Sequence, residues 1–237
     1  MENYDVVARY YDAVEDDAAG RAAFMRSLIE RHHPAARTLL ELGCGTGLLL
    51  EQFQPDFEVT GLDLSERMLA FAAEKVPDAR LLHGDMSLLD LGERFDVVIC
   101  GDTTQHLLEF EEWETLFDRA SEHLDDEGVF ILVVTTEREF AALVEYSPWA
   151  HWTDDGDLLL MSQTDDGDGA MTWEIRIFEH LGDSDYRLHS EDMRVVSFPT
   201  DRIKASLSAR FRSVRVYDAR RPRPTPASDC LHFVCRK

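Results

Sequence analysis

One stretch limits the folds open to this chain more than any other. The apolar run Leu39-Leu40-Glu41-Leu42 leads into Gly43-Cys44-Gly45-Thr46-Gly47, and a second apolar run then ends on an acid, Val59-Thr60-Gly61-Leu62-Asp63. Alternating glycines after a buried strand allow a sharp turn into a helix and let backbone N–H groups approach a ligand closely, because no Cβ stands between them. Asp63, at the end of the following strand, stands where a carboxylate accepts the hydroxyl hydrogens of a ribose. Strand and helix patterns continue to alternate: strands over 37–42, 57–62, 79–83, 94–100 and 128–135, with helices over 66–75 and 111–124 between them and helices over 4–12 and 18–33 in front. Near-continuous apolar strands suit a parallel sheet covered on both faces, so the expected fold is a doubly wound, Rossmann-like α/β domain.

The pattern changes after residue 140. Alternating segments at 157–163, 170–179 and 186–198 are separated by Asp/Gly-rich turns, which reads as an antiparallel meander inserted over about 140–200 of a single domain spanning 1–237. Phe211–Tyr217 and Cys230–Cys235 then return the chain to the main sheet. The turns Thr153–Asp157 and Thr164–Gly169 invite a calcium reading, but an EF-hand register with Gly169 sixth puts Thr164 first and Ile175 in the carboxylate position. Hairpin turns fit instead, and no metal site is expected.

Glycine spacing discriminates between nucleotide cofactors. A dinucleotide fold uses Gly-x-Gly-x-x-Gly, whereas this chain has Gly43, Gly45 and Gly47, with Leu48 where the last glycine of that pattern belongs. Glu41 would sit badly beside a pyrophosphate and well beside an ammonium or a sulfonium. The spacing and the charge together favour S-adenosylmethionine over NAD.

These residues resemble the class I S-adenosylmethionine-dependent methyltransferases, of the small-molecule type, over most of residues 4–136. Glu41–Gly47 matches the family's first motif, Asp63 its ribose-binding acid, and Gly84-Asp85-Met86 its third motif, whose Asp meets the adenine amino group. Phe95–Cys100 and Gly128–Val133 match the fourth and fifth strands. The resemblance implies a seven-stranded sheet whose last strand is antiparallel, contributed by the terminal hairpin. It also implies cofactor contacts from Glu41, Gly43, Cys44, Gly45, Thr46, Gly47, Asp63, Gly84, Asp85 and Met86. In related enzymes an N-terminal helix folds over the cofactor, which makes Tyr10 a lid contact and Tyr11 a candidate beside the reacting groups; Tyr4, Val7 and Tyr11 at helical spacing fit plain packing equally well. Leu64 and Met68 are expected on the adenine, core packing being the other reading for Met68. Cys100 and Gly101 end the fourth strand at the crevice where open α/β sheets bind ligands, and their backbone is the expected contact.

The segment Cys100-Gly101-Asp102-Thr103-Thr104-Gln105-His106-Leu107 is the place to seek chemistry. It departs from the Asn-Pro-Pro-Tyr motif of methyltransferases acting on nucleobases or protein amides and looks like the His-Leu ending of small-molecule N-methyltransferases. His106 then either takes a proton or orients the acceptor, imidazole titrating near neutral pH, or it makes a structural hydrogen bond at a helix start. The expected function is methyl transfer to a small molecule, an amine first and a hydroxyl or carboxylate next, by in-line displacement. Positioning alone can supply about 7–11 kcal/mol to such a step, so no catalytic triad is needed. A non-catalytic cofactor-binding scaffold is the alternative. Trp149, Trp152, Trp173, Arg176 and His189 are candidate contacts from the meander, each read singly as core or surface.

The chain carries 47 Asp and Glu against 24 Lys and Arg, a formal charge of −23. That opposes nucleic acid and anionic membranes as partners, since both require a positive field. A solvated acidic surface and adaptation to high intracellular salt both explain the excess; we take the second as the working expectation, the Debye length being about 3 Å at 1 M. No run of about 18 apolar residues and no signal-peptide pattern occurs, which gives a cytoplasmic expectation. The four cysteines read as small buried residues, Cys230 and Cys235 facing opposite sides of one strand. Oligomeric state stays open, a homodimer included.

Overall fold

The computed structural model describes residues 7–14, 17–167 and 169–237. Within it the glycine segment does what its composition requires. Strand β1 (Thr38–Leu42) ends at Gly43 and helix α3 (Leu48–Phe53) starts after Gly47; ahead of them lie α1 (Tyr11–Val14) and α2 (Ala18–His32). The chain continues through β2 (Glu58–Asp63), α4 (Glu66–Lys75), β3 (Arg80–His83), β4 (Phe95–Cys100), α5 (Phe110–Glu122) and β5 (Leu124–Thr135). Local signals set the helix starts. Ser65 accepts a hydrogen bond from the Met68 N–H at α4, and Glu109 and Glu112 form a reciprocal capping box at α5.

The later chain holds α6 (Glu137–Glu145), β6 (Trp149–Trp152), β7 (Leu158–Gly167), β8 (Ala170–Gly182), β9 (Asp185–Val196), α7 (Thr200–Arg210), β10 (Ser213–Tyr217) and β11 (Cys230–Arg236). Seven strands form one sheet in the order β10-β11-β5-β4-β1-β2-β3, with β1 to β5 mutually parallel and β11 antiparallel to both its neighbours. A separate antiparallel sheet has the order β6-β7-β8-β9. The strand order reverses between β1 and β4, so a crevice opens at the C-terminal ends of β1, β2 and β4.

Strand alternation divides the core into two layers. Leu40, Leu42, Val98 and Phe130 pack against Trp113, Phe117, Ile203 and Leu207 of α5 and α7; Leu39, Val97, Ile99 and Ile131 pack against Met25, Leu28, Leu50 and Phe53 of α2 and α3. A third cluster joins the N-terminal segment to the second sheet, through Val7, Tyr10, Leu159, Ile175, Ile177 and Met193.

Several elements differ from expectation. Of the helix expected over 4–12, Tyr4 lies outside the described residues, 7–10 form turns, and helix begins at Tyr11. Helices α6 and α7 and strand β6 were not anticipated: the helices find their apolar partners far away in sequence, as Phe140 does in Met171 and Val195, and β6 is four residues long with both tryptophans exposed. Cys44, Cys100 and Cys235 are buried, but Cys230 is only partly so, because the end of β11 opens toward the crevice side.

Candidate functional site

The site is built on the glycine turn. The Gly43 and Cys44 N–H groups both donate to the Leu62 carbonyl, at 2.8 and 2.9 Å, which clamps the turn onto the end of β2. Gly43 has φ +70°, and a Cβ there would lie 2.3 Å from Thr103 Cγ2, so only glycine lets the β4 loop close over the turn. Asp63 is tied in as well: its Oδ2 accepts from Gly45 N at 2.7 Å and its Oδ1 from Ser65 N at 2.8 Å. Burial raises its pKa, and these N–H donors counter the rise. Each oxygen of a carboxylate accepts at more than one lone pair, so Asp63 keeps capacity toward the crevice.

Two cavities open here. The first, about 750 Å³, is lined by Gly43, Asp63, Leu64, Gly84, Asp85 and Met86, and on its other side by His106, Leu107 and Leu108. Asp85 accepts from both the N–H and the hydroxyl of Ser87 through Oδ1, at 2.8 and 2.7 Å, and among the described residues Oδ2 has no protein donor. The second, about 470 Å³, is lined by Tyr11, Gly43, Gly45, Asp63, Met68, Gly101 and Asp102, then by Gln105, His106 and a wall of Tyr146, Trp149, Met161, Gln163, Trp173 and Met193. Gly43, Asp63, Thr103 and His106 belong to both. The volumes fall in the range of cofactor and small-molecule sites, about 300–1,000 Å³.

His106 sits at that junction in a short 3₁₀ turn (Thr104–His106), its ring edge-on to Trp173 with centroids 6.1 Å apart. Burial lowers its pKa to about 4, so the imidazole is neutral at physiological pH. The segment is fixed from behind by Trp113, whose Nε1 donates to the Leu107 carbonyl at 2.8 Å. Asp102, at φ 53°, accepts from the Thr135 hydroxyl at 2.8 Å and pairs with Arg21 at 3.8 Å.

The N-terminal segment is held over the turn by Asp12. Thr46 Oγ1 donates to one oxygen at 2.5 Å and Lys75 Nζ pairs with the other at 2.5 Å, while Lys75 also donates to the Thr46 carbonyl. This brings the Tyr11 ring alongside Gly45.

Not every candidate from the sequence reaches a cavity. Tyr10 is buried between the N-terminal segment and the second sheet, where its hydroxyl bonds Asp157; burial first and Asp157 second push its pKa up to about 12. Glu41 points into the layer below the turn, Cys44 packs in the same layer, and the Cys100 side chain lies in the opposite core layer. Thr46 and Gly47 support the turn from outside the cavities. Met68, in the first turn of α4, lines the smaller cavity, whereas Leu64, in the loop ahead of that helix, lines the larger one. Of the meander candidates, Trp149 and Trp173 line the smaller cavity, whereas Trp152 is 59% exposed, Arg176 pairs with Asp192 and His189 with Glu179. Gln163, Met161 and Met193 carried no motif; only pairing between β7, β8 and β9 brings them together.

Crevice, turn and acids suit an adenosyl cofactor. Gly43 has no room for a Cβ, Asp63 offers acceptors to a ribose, and Asp85 lines the larger cavity beside Leu64 and Met86.

Known proteins agree with this frame. A family model described as a methyltransferase domain matches residues 39–128. A curated relative, the dTDP-3-amino-3,6-dideoxy-alpha-D-glucopyranose N,N-dimethyltransferase of Streptomyces fradiae, is 38% identical over 132 residues, covering 53% of this chain and 52% of the relative. The chain thus spans about half the length of the curated relatives it matches first. Among solved structures, an S-adenosylmethionine-dependent methyltransferase from Clostridium acetobutylicum superposes with a TM-score of 0.84 at 21% identity, covering 98% of both chains. DesVI of Streptomyces venezuelae superposes with a TM-score of 0.78 at 25% identity, covering 98% of this chain and 96% of that one. With the glycine turn, Asp63 and the reversed last strand in place, the chain carries a match to a methyltransferase domain over residues 39–128 and shares the fold of these S-adenosylmethionine-dependent methyltransferases.

Proposed function

We propose that this protein transfers a methyl group from S-adenosylmethionine to the nitrogen of a small-molecule amine. The carrying observation is that two cavities, one beside Asp85 and one walled by the second sheet, meet at Gly43, Asp63, Thr103 and His106. The named activity of the Streptomyces fradiae relative, N,N-dimethylation of an amino sugar, supports a nitrogen acceptor.

In this reading the glycine turn receives the cofactor, Asp63 holds its ribose, Asp85 its adenine, and Leu64 and Met86 flank the base. When bound, the cofactor supplies a methyl group on a sulfonium, whose S–C bond breaks as the acceptor nitrogen forms its new bond. The chain's own work is to hold and align the acceptor, worth up to about 7–11 kcal/mol. Tyr11 and Trp173 confine the acceptor from two sides, and the neutral His106 imidazole takes the proton that the nitrogen sheds, or accepts its N–H hydrogen bond. The Asp12 clasp and the inserted meander over about 140–200 act as a cap that keeps water from the junction. The whole chain then works as one methyltransferase domain.

Calorimetric titration with S-adenosylmethionine, S-adenosylhomocysteine and NAD in parallel tests the cofactor half. The first two are expected to bind and NAD is not; binding of NAD alone overturns the proposal. Incubation with methyl-labelled cofactor and a panel of amines, read by mass spectrometry, tests the transfer, and tight cofactor binding without product from any amine would leave a scaffold.

A further inference from the structure

The smaller cavity is walled by rings and bounded by acids. Tyr11, Tyr146, Trp149 and Trp173 supply the rings, with Tyr146 and Trp149 at its lip, 80% and 41% exposed. The charged side chains facing it are Asp63 and Asp102, and no Lys or Arg lines it among the described residues. Outside the described set the sequence adds Glu2, Asp5, Glu15, Asp16 and Asp168 and no Lys or Arg. Cations in the surrounding elements already have acid partners: Arg21 pairs with Asp102, Lys75 with Asp12, and Arg9 with Asp157 and Glu179. Helix α6 follows directly on Thr135, but its N-cap is filled by Thr136, and Glu137 and Glu139 occupy its first turn. The wall's imidazole, His106, is neutral through burial.

Phosphates and carboxylates are recognised by arginine forks, lysines or open helix N-termini, and among the described residues this wall presents none of them. Ring faces beside carboxylates instead attract cations. Entry of an anion would also work against the field of a chain with formal charge −23.

Resting on the methyltransferase reading above, we infer that the acceptor is an amine with an apolar or aromatic body that carries no phosphate or carboxylate, and so is not a nucleotide-linked one. It enters as a cation between the rings, gives its ammonium proton to solvent water at the cavity mouth to reach the nucleophilic state, and presents the freed lone pair at the His106 junction.

The test uses the full chain and a pair of probes that share one aromatic amine body and differ by a phosphate group, tyramine and its phosphate ester. Saturating binding of S-adenosylhomocysteine is measured first, and its failure would overturn the methyltransferase reading itself. In the saturated protein, calorimetry is expected to show tyramine binding at least about tenfold more tightly than the ester, as like-charge juxtaposition dictates. The gap should narrow as potassium chloride approaches 1 M, where the Debye length is about 3 Å. Equal or tighter binding of the ester, or no binding of either probe at millimolar concentration, overturns this inference while leaving cofactor binding intact. Gln163→Arg adds a cation to the same wall and is expected to shrink the gap by about tenfold; an unchanged gap also overturns it.

Discussion

Glu41 should make this protein less stable as the pH rises toward 8, and Glu41→Gln should abolish that loss. The side chain is 3% exposed, between Gly61 of β2 and Ile99 of β4, and its Oε2 has no hydrogen-bond partner. Burial pushes the carboxyl up to about 8; Arg21 draws it down and Asp63 adds to the rise, against 4.5 for the free group. A folded-state pKa above the unfolded one means that the folded chain holds a proton the unfolded chain gives up. The stabilisation is complete below pH 4.5 and is lost as pH rises through about 8. At about 1.4 kcal/mol per pH unit, that window corresponds to on the order of 5 kcal/mol. Glutamine has the shape of the protonated acid and does not titrate. The variant should therefore match the wild type near pH 5 and exceed it above pH 8, by roughly 10 °C or more in Tm for a chain of this size. Urea unfolding of both proteins across pH 5–9, without cofactor, isolates the effect, because every other group titrates in both. Parallel profiles, or a variant less stable than wild type above pH 8, would refute the reasoning.

Asp63→Ala removes the acceptor for Gly45 N and Ser65 N and the acid facing both cavities. Loss of a charge-assisted hydrogen bond costs about 1.5–3 kcal/mol, so S-adenosylhomocysteine should bind about 10- to 100-fold more weakly by calorimetry. Trp113→Phe leaves the Leu107 carbonyl without its donor, and denaturant unfolding should show a loss of about 1–3 kcal/mol. Because the same bond steadies His106, methyl transfer should slow in that variant more than cofactor affinity falls. His106→Asn should lower kcat by about 100-fold or more, and since His106 titrates at about 4, wild-type kcat/KM should show no inflection from it between roughly pH 6 and 8. Melting across a potassium chloride series should show Tm rising with salt, as screening relieves the repulsion of a chain at −23; a Tm indifferent to salt removes the salt-adaptation reading.

Much of the crevice proposed to hold the cofactor was legible before folding, because its determinants are local. The turn needs Gly43, Gly45 and Gly47 within five residues of one strand, Asp63 ends β2, and Asp85 follows the end of β3 by two residues. Tyr10 and Tyr11 show where such reading fails. They are adjacent, yet Asp157 and the apolar face of the second sheet claim the first, while the second turns to Gly45. Glu41 fails in the same way: strand alternation put it under the turn, and no motif says which face of β1 meets Arg21.

By itself the sequence determined the doubly wound sheet, the glycine cradle and the class of cofactor, since strand periodicity, glycine spacing and strand-end acids act over a few residues. The smaller cavity was decided by the tertiary structure. Its wall is assembled from α1, α6, β6, β7, β8 and β9, segments with no common pattern. They meet because apolar faces are buried between them, and that pairing places Trp173 against His106 and, among the described residues, leaves acids and no Lys or Arg around the smaller cavity.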